Sequence, residues 1–233
     1  MKARVGDLDV HYEMRGEGEG QLVLVHGIGS DHSSFSTLQA GLAGVRSYAY
    51  DVRGHGQTSL GQPAGTLDQL GGDLVDFLEA VTGPADCAGY SLGGTIVLWA
   101  ASSRPDLVRR VVAIATSSVV GRAAAGWYRE RIAMIDAGDL EDAGGGYRNA
   151  ATAMAGMHEN PLQPLLGQVR CPVLVVAGER DEFCPPRAAQ IMLEALPDGR
   201  YVEIPDVGHL VLAEAPDALR DAVASFLSKV GAG

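Results

Sequence analysis

A serine placed between glycines is the residue most suited to chemistry in this chain. Gly89-Tyr-Ser-Leu-Gly-Gly94 follows a short strand-like run at 86–89 and precedes a stretch at 92–103 that predicts a helix. A sharp turn from strand to helix strains the residue at its apex, and side chains at the flanking positions would collide with backbone, so glycine is favoured there. The turn also exposes the serine hydroxyl at the positive end of a helix. We therefore predict that Ser91 is a nucleophile.

A nucleophilic serine needs a general base, and the chain has six histidines. His209 follows the last strand-like run, 201–204, in a loop at the carboxyl end of a strand, where open α/β sheets build their sites. His55 lies in a second loop, in which we expect Asp51 and Arg53 to pair locally and the histidine to be structural. We predict that His209 is the base.

Four carboxylates compete to orient that histidine: Glu179, Asp181, Glu182 and Asp206. The first three follow a buried strand-like run at 173–178. Asp181 is favoured by its place in a Gly-Glu-x-Asp pattern, with Glu179 as the runner-up. The acid would fix the imidazole tautomer and stabilise the imidazolium without taking the proton.

A glycine-rich loop, His26-Gly-Ile-Gly29, follows the apolar run 22–25. In this position the backbone N–H of Ile28 can converge with that of Leu92 on a substrate oxyanion, and one such donor is worth roughly 3–4 kcal/mol of transition-state stabilisation. The alternative is a simple glycine-rich turn. His26 itself is interpreted as a structural, hydrogen-bonding histidine.

Short apolar runs alternate with helical patterns along most of the chain. Since such runs separated by helices indicate parallel strands with crossover helices, we predict an α/β fold with a mostly parallel central sheet, preceded by a β-hairpin. The predicted strands cover 3–5, 9–15, 22–25, 47–50, 86–89, 109–115, 173–178 and 201–204. Helices are predicted at 92–103, 186–196 and 216–229, and another from Thr66, which Gln69 would complete as a capping box.

The stretch 117–169 has no strand-like run. It contains helical patterns at 122–137 and 147–158, and we interpret it as a helical cap inserted into a core formed by 1–116 and 170–233. The alternative is a poorly ordered surface excursion. The cap is favoured because an ordered helical segment can bury several apolar side chains: Trp127, Ile132, Met134, Ile135, Met154 and Met157.

Composition limits the partners of this 233-residue chain. The formal net charge of −11 disfavours binding to nucleic acid or to an anionic membrane, because both require a basic face. The cysteines at 87, 171 and 184 show no zinc-type spacing, and Cys184 is expected to border the site. We expect a cytoplasmic protein without metal or organic cofactor, either monomeric or homodimeric.

Five ordered motifs resemble those of the α/β-hydrolase superfamily along nearly the whole chain: His26–Gly29, Asp51–Gly56, Gly89–Gly94, Ala177–Asp181 and Gly208-His209. Within the superfamily the chain is most similar to small bacterial esterases and lactonases related to 3-oxoadipate enol-lactonase. A serine at position 91, where dehalogenases and epoxide hydrolases have aspartate, argues against those activities.

The resemblance and the motifs predict cleavage of a small ester or lactone through a Ser-His-Asp triad and an acyl-enzyme. The residues expected to line the substrate pocket are Gly27, Tyr90, Trp127, Met134, Met154 and Met157. A lyase, cyclase or C–C hydrolase on the same fold is the alternative, favoured if Arg122, Arg129 or Arg131 points into the pocket. A ligand receptor is the third hypothesis.

Overall fold

An eight-stranded sheet organises the part of the chain that this computed structural model describes, residues 1–142 and 144–228. Its strands are β1 (Lys2–Val5), β2 (Leu8–Arg15), β3 (Gly20–Val25), β4 (Val45–Tyr50), β5 (Ala85–Tyr90), β6 (Val108–Ile114), β7 (Val173–Gly178) and β8 (Gly199–Ile204). The spatial order is β1-β2-β4-β3-β5-β6-β7-β8. β1 and β2 form the predicted antiparallel hairpin, and the strands from β3 to β8 are parallel. The predicted fold class is confirmed.

Helices cover both faces of the sheet, which explains why its central strands are apolar throughout. In β3, Leu22 and Leu24 face one hydrophobic cluster, whereas Val23 and Val25 face the other. The α-helices are α1 (Ser36–Gly41), α2 (Leu67–Phe77), α3 (Leu92–Ser103), α4 (Arg122–Ala137), α5 (Gly146–Gly156), α6 (Pro186–Ala195), α7 (Val211–Glu214) and α8 (Pro216–Ser228). Lys229, the predicted end of the last helix, lies outside the described residues.

Helix α2 begins as its sequence predicts, with Thr66 accepting a hydrogen bond from the N–H of Gln69 at 3.2 Å. The reciprocal half of the capping box is replaced, because the Gln69 side chain bonds the N–H of Ala64 and the carbonyl of Gln62. The Gln69 side chain therefore holds the loop that precedes α2 instead of bonding the backbone N–H of Thr66.

The segment between β6 and β7 contains α4 and α5, in agreement with the helical patterns predicted there. The division at 117 and 169 remains a prediction. Met154 and Met157 are buried against the core, and Ile132 and Ile135 are partly covered. No helix in residues 1–142 and 144–228 is long and apolar enough to cross a membrane.

Candidate active site

The loops at the carboxyl ends of β3, β5, β7 and β8 meet at one edge of the sheet. Parallel strands bring all their carboxyl ends to the same side, so side chains that follow different strands become neighbours. Ser91 follows β5, Asp181 follows β7 and His209 follows β8. Residues separated by up to 118 positions thereby form one constellation.

Ser91 occupies the tight turn between β5 and α3. Its backbone has φ 53° and ψ −118°, a strained conformation for a residue with a side chain. An added Cβ at Gly89 would overlap the backbone of Gly93, and one at Gly93 would overlap the carbonyl oxygen of Val25. The two glycines allow the chain to approach itself closely enough to hold the serine in this turn.

A continuous chain of hydrogen bonds connects the three predicted catalytic side chains. His209 Nε2 lies 3.1 Å from Ser91 Oγ, and its Nδ1 lies 2.8 Å from Asp181 Oδ2. The other oxygen, Asp181 Oδ1, accepts the backbone N–H groups of Phe183 and Cys184, each at 2.8 Å. With Nδ1–H donating to the buried carboxylate, Nε2 is free to accept the serine proton.

The rival carboxylates have other partners. Glu179 accepts the N–H of Asp206 at 2.9 Å, and the carboxylate of Asp206 pairs with Arg180. Glu182 is exposed. Among the four candidates, only Asp181 combines burial with contact to His209.

The loop after β3 lies directly against the serine. An added Cβ at Gly27 would lie 3.3 Å from Ser91 Cβ, so the two backbones are close neighbours. Among the hydrogen bonds of residues 1–142 and 144–228, the N–H groups of Ile28 and Leu92 have no acceptor. Both predicted donors therefore remain available for an oxyanion.

A cavity of about 420 Å³ opens onto Ser91 and His209, between the core and helix α4. Of the predicted lining residues, Gly27, Tyr90, Trp127 and Met154 line it. The lining that sequence reasoning missed comprises Ser30, Thr95, Thr116, Ser117, Ala124, Tyr128, Glu182, Phe183 and Leu210. Cys184 also lines it, as its closeness to Asp181 along the chain predicted. Phe183 is even closer to Asp181 along the chain, so the same argument could have predicted its place in the lining.

Two of the predicted pocket residues do not line this cavity. Met157 is buried and contributes to a separate groove beside Trp99. Met134 lies on α4, yet it lines neither cavity. An apolar side chain on a cap helix can face the core, the solvent or the pocket, and helical periodicity alone does not distinguish these surfaces.

Among the residues that the structure describes, the three arginines of helix α4 do not line the cavity. Arg129 pairs with Glu159 at 2.7 Å. Arg131 stacks on the Trp127 ring, 4.3 Å from its centre. Arg122 is exposed at the start of α4. The feature that would have favoured a lyase or cyclase is therefore not observed.

The expected local pair between Asp51 and Arg53 is also wrong. Arg53 instead binds Asp7 at 2.8 Å and Asp73 at 2.6 Å, and the Asp51 carboxylate contacts His11 and His32. The two side chains of this loop thus connect it to elements that are distant in sequence.

His26 and His55 are structural, as predicted, and both position the loop that carries Ile28. His26 Nε2 accepts the N–H of Val52 at 2.9 Å, and His55 Nε2 accepts the N–H of Gly29 at 3.2 Å. Burial, with the nearby imidazole of His55 as a second cause, lowers the pKa of His26 to about 4. Burial also lowers the pKa of His55. Both rings are therefore neutral acceptors at neutral pH.

Tyr90 supports the site from beside the nucleophile. Its hydroxyl donates to the backbone carbonyl of His209 at 3.1 Å. Burial, followed by the negative charge of Asp181, raises the pKa of Tyr90 to about 12. The phenol therefore stays protonated and keeps its donor.

The fold agrees with comparison to known proteins. The alpha/beta hydrolase family matches residues 22–222, and the chain belongs to that family. It is 28% identical to the dihydrolipoyllysine-residue acetyltransferase component of the acetoin cleaving system of Pseudomonas putida, over 98% of this chain and 69% of that protein. It is 26% identical to 3-oxoadipate enol-lactonase 2 of Acinetobacter baylyi, over 77% of this chain and 78% of the relative.

Among solved structures, the enol-lactonase from Burkholderia xenovorans superposes with a TM-score of 0.85. It shares 25% identity, and the match covers 98% of this chain and 100% of that chain. The resemblance inferred from the motifs is confirmed, and the protein is an α/β hydrolase with lactonase-type relatives.

Proposed function

We propose that the protein is a serine hydrolase that cleaves small carboxylic esters or lactones. The observation that carries this proposal is the unbroken hydrogen-bonded sequence Ser91–His209–Asp181, of which Ser91 and His209 line a mostly apolar cavity. The enol-lactonases among the relatives favour the same substrate class.

In the first half of the reaction, His209 Nε2 removes the Ser91 proton as Oγ attacks the substrate carbonyl carbon. The resulting oxyanion is stabilised by the N–H groups of Ile28 and Leu92. His209 then gives its proton to the leaving alkoxide or enolate, and an acyl-serine remains. Water, activated by the same imidazole, attacks this ester and releases the acid, which restores Ser91.

The test is hydrolysis of p-nitrophenyl esters of increasing acyl length and of simple lactones, by wild type and by Ser91→Ala. We expect turnover by the wild type and a loss of roughly 10⁶-fold in kcat for Ser91→Ala. Equal turnover by both proteins would contradict the nucleophilic role. If neither protein turns over any ester or lactone, hydrolysis of this class is rejected in favour of a lyase, a cyclase or a receptor.

A further inference from the structure

Three potential metal ligands from separate elements meet in a cluster that shares no residue with the proposed triad. His11 lies on β2, His32 follows the Ile28 loop, and Asp51 follows β4. The Nδ1 atoms of His11 and His32 lie 3.0 and 2.8 Å from different oxygens of Asp51. The three ligand atoms all lie within 4.8 Å of one another.

This donor set suits a borderline-soft divalent cation. Zinc is bound in proteins by imidazole nitrogen and carboxylate oxygen, and tetrahedral bonds of about 2.0–2.1 Å place neighbouring ligand atoms about 3.4 Å apart. Both nitrogen–oxygen distances are already shorter than this separation. A small opening of the two rings would therefore admit an ion.

Backbone hydrogen bonds fix the Asp51 carboxylate, and the cluster is accessible to an ion from solvent. Asp51 is fully buried, and its oxygens accept the backbone N–H groups of His32 and Gln57 at 2.7 and 2.9 Å. Such bonds fix the orientation of a ligating carboxylate. The side chains of His11 and His32 are 13% and 18% exposed, so the cluster can be reached from solvent on the imidazole side.

We propose that His11 Nδ1, His32 Nδ1 and an oxygen of Asp51 form a binding site for a zinc-type divalent cation, separate from the proposed active site. On binding, the two Nδ1–H bonds to Asp51 are replaced by coordination through the Nδ1 lone pairs. Each neutral ring then carries its proton on Nε2, so the exchange releases no proton from a neutral histidine.

The ion would connect the Ile28 loop to the sheet. His32 lies four positions after Ile28, and His11 and Asp51 belong to β2 and to the end of β4. A cation held by all three residues fixes the loop to both strands. Since the ion binds the folded chain preferentially, it raises the melting temperature.

A second cluster must be distinguished experimentally. Asp181, Cys184 and His209 also lie within 4.8 Å of one another, and an ion there would break the Asp181–His209 bond. Burial, followed by the charge of Asp181, raises the pKa of Cys184 to about 12, which disfavours the thiolate that soft metals require.

The test is titration of chelator-treated protein with zinc chloride, by calorimetry and by thermal melting. The proteins are wild type, His11→Gln, His32→Gln, Cys184→Ser and His158→Gln. His158 is a control because it belongs to neither cluster and its ring bonds the carbonyl of Val120. Circular dichroism of each variant without metal confirms folding.

We expect one zinc per chain in the wild type, a melting temperature raised by zinc and restored by chelator, and at least tenfold weaker binding in His11→Gln and His32→Gln. Cys184→Ser and His158→Gln should bind like the wild type. Zinc binding that is lost in Cys184→Ser but kept in both His11→Gln and His32→Gln would overturn the proposal, and so would a wild type that binds no zinc. Because none of these readouts uses catalysis, they are independent of whether the protein hydrolyses esters.

Discussion

At the scale of single residues, the Asp181 carboxylate accepts hydrogen bonds from two backbone N–H groups and from the imidazole of His209. Hydrogen bonds from backbone donors stabilise the ionised carboxylate and prevent it from rotating. A fixed, charged acceptor selects the tautomer in which His209 presents a bare Nε2 to Ser91. We therefore propose that Asp181 acts mainly through orientation and charge.

Asp181→Asn removes the charge and offers the imidazole an amide that can donate as well as accept. We expect kcat/KM for a p-nitrophenyl ester to fall by about 10⁴-fold, with the melting temperature little changed. Glu179→Gln is the matched control, because its amide oxygen can still accept the N–H of Asp206, and it should retain nearly full activity. Equal losses in the two variants would argue against Asp181 as the orienting acid.

His26 makes the stability of the fold depend on pH. Its pKa falls from 6.5 to about 4 on folding, so between these values the unfolded chain binds a proton that the native chain does not. The free energy of unfolding therefore decreases as pH falls below 6.5, and this residue alone contributes a loss of about 2 kcal/mol between pH 7 and pH 5.

Urea unfolding of wild type and His26→Gln at both pH values measures this contribution. The variant should lose about 2 kcal/mol less than the wild type between pH 7 and pH 5. The same pH dependence in both proteins would show that His26 does not titrate as its burial requires.

At the scale of elements, helices α2 and α3 pack closely because one of them presents glycine at the contact. Gly71 is buried, and an added Cβ there would overlap the ring of Trp99. Its neighbour Gly72 has open space around the same position. The indole of Trp99 also donates to Asp68 at 2.7 Å, which ties the ring to the first turn of α2.

Adjacent glycines on one helix should therefore respond in opposite directions to alanine. Gly72→Ala is expected to stabilise the protein by about 0.5–1 kcal/mol, since alanine loses less conformational entropy in a helix. Gly71→Ala is expected to destabilise it by about 1–3 kcal/mol through overpacking against Trp99. Chemical denaturation of both variants provides the comparison, and a gain in stability from Gly71→Ala would contradict the close packing.

At the scale of the whole molecule, the cavity lies where helices α4 and α5, the proposed cap, meet the loops of the sheet. The core supplies Ser91, His209 and Tyr90, and helices α4 and α5 supply Trp127 and Met154. Substitutions in the cap can therefore change substrate size without touching the proposed chemistry.

Met154→Ala should enlarge the pocket and move the preferred acyl length of p-nitrophenyl esters to longer chains. Each additional buried methylene is worth about 0.8 kcal/mol, or roughly fourfold in kcat/KM. Met134→Ala is the matched control, because Met134 belongs to the cap but lines neither cavity. A shift in chain length for Met134→Ala, or none for Met154→Ala, would contradict the assigned lining.

Sequence patterns predicted the elements of this molecule well where neighbours along the chain determine the conformation. The Gly89–Gly94 turn, the apolar β7 and helices α4 and α5 all follow from local sterics and periodicity. Cys184 was expected near the site from its closeness to Asp181, and it lines the cavity. Such features need no knowledge of the rest of the fold.

By itself, then, the sequence determined the fold class, the nucleophile turn and the loop in which each proposed catalytic group would lie. Only the tertiary structure decided that Asp181 rather than Glu179 reaches His209, that Arg53 binds Asp7 and Asp73, and that Met157 packs away from the cavity. The physical reason is the sequence separation of the residues that interact. Turns and helices depend on interactions within a few residues, whereas ion pairs and pocket walls depend on which distant segments the register of the sheet brings together.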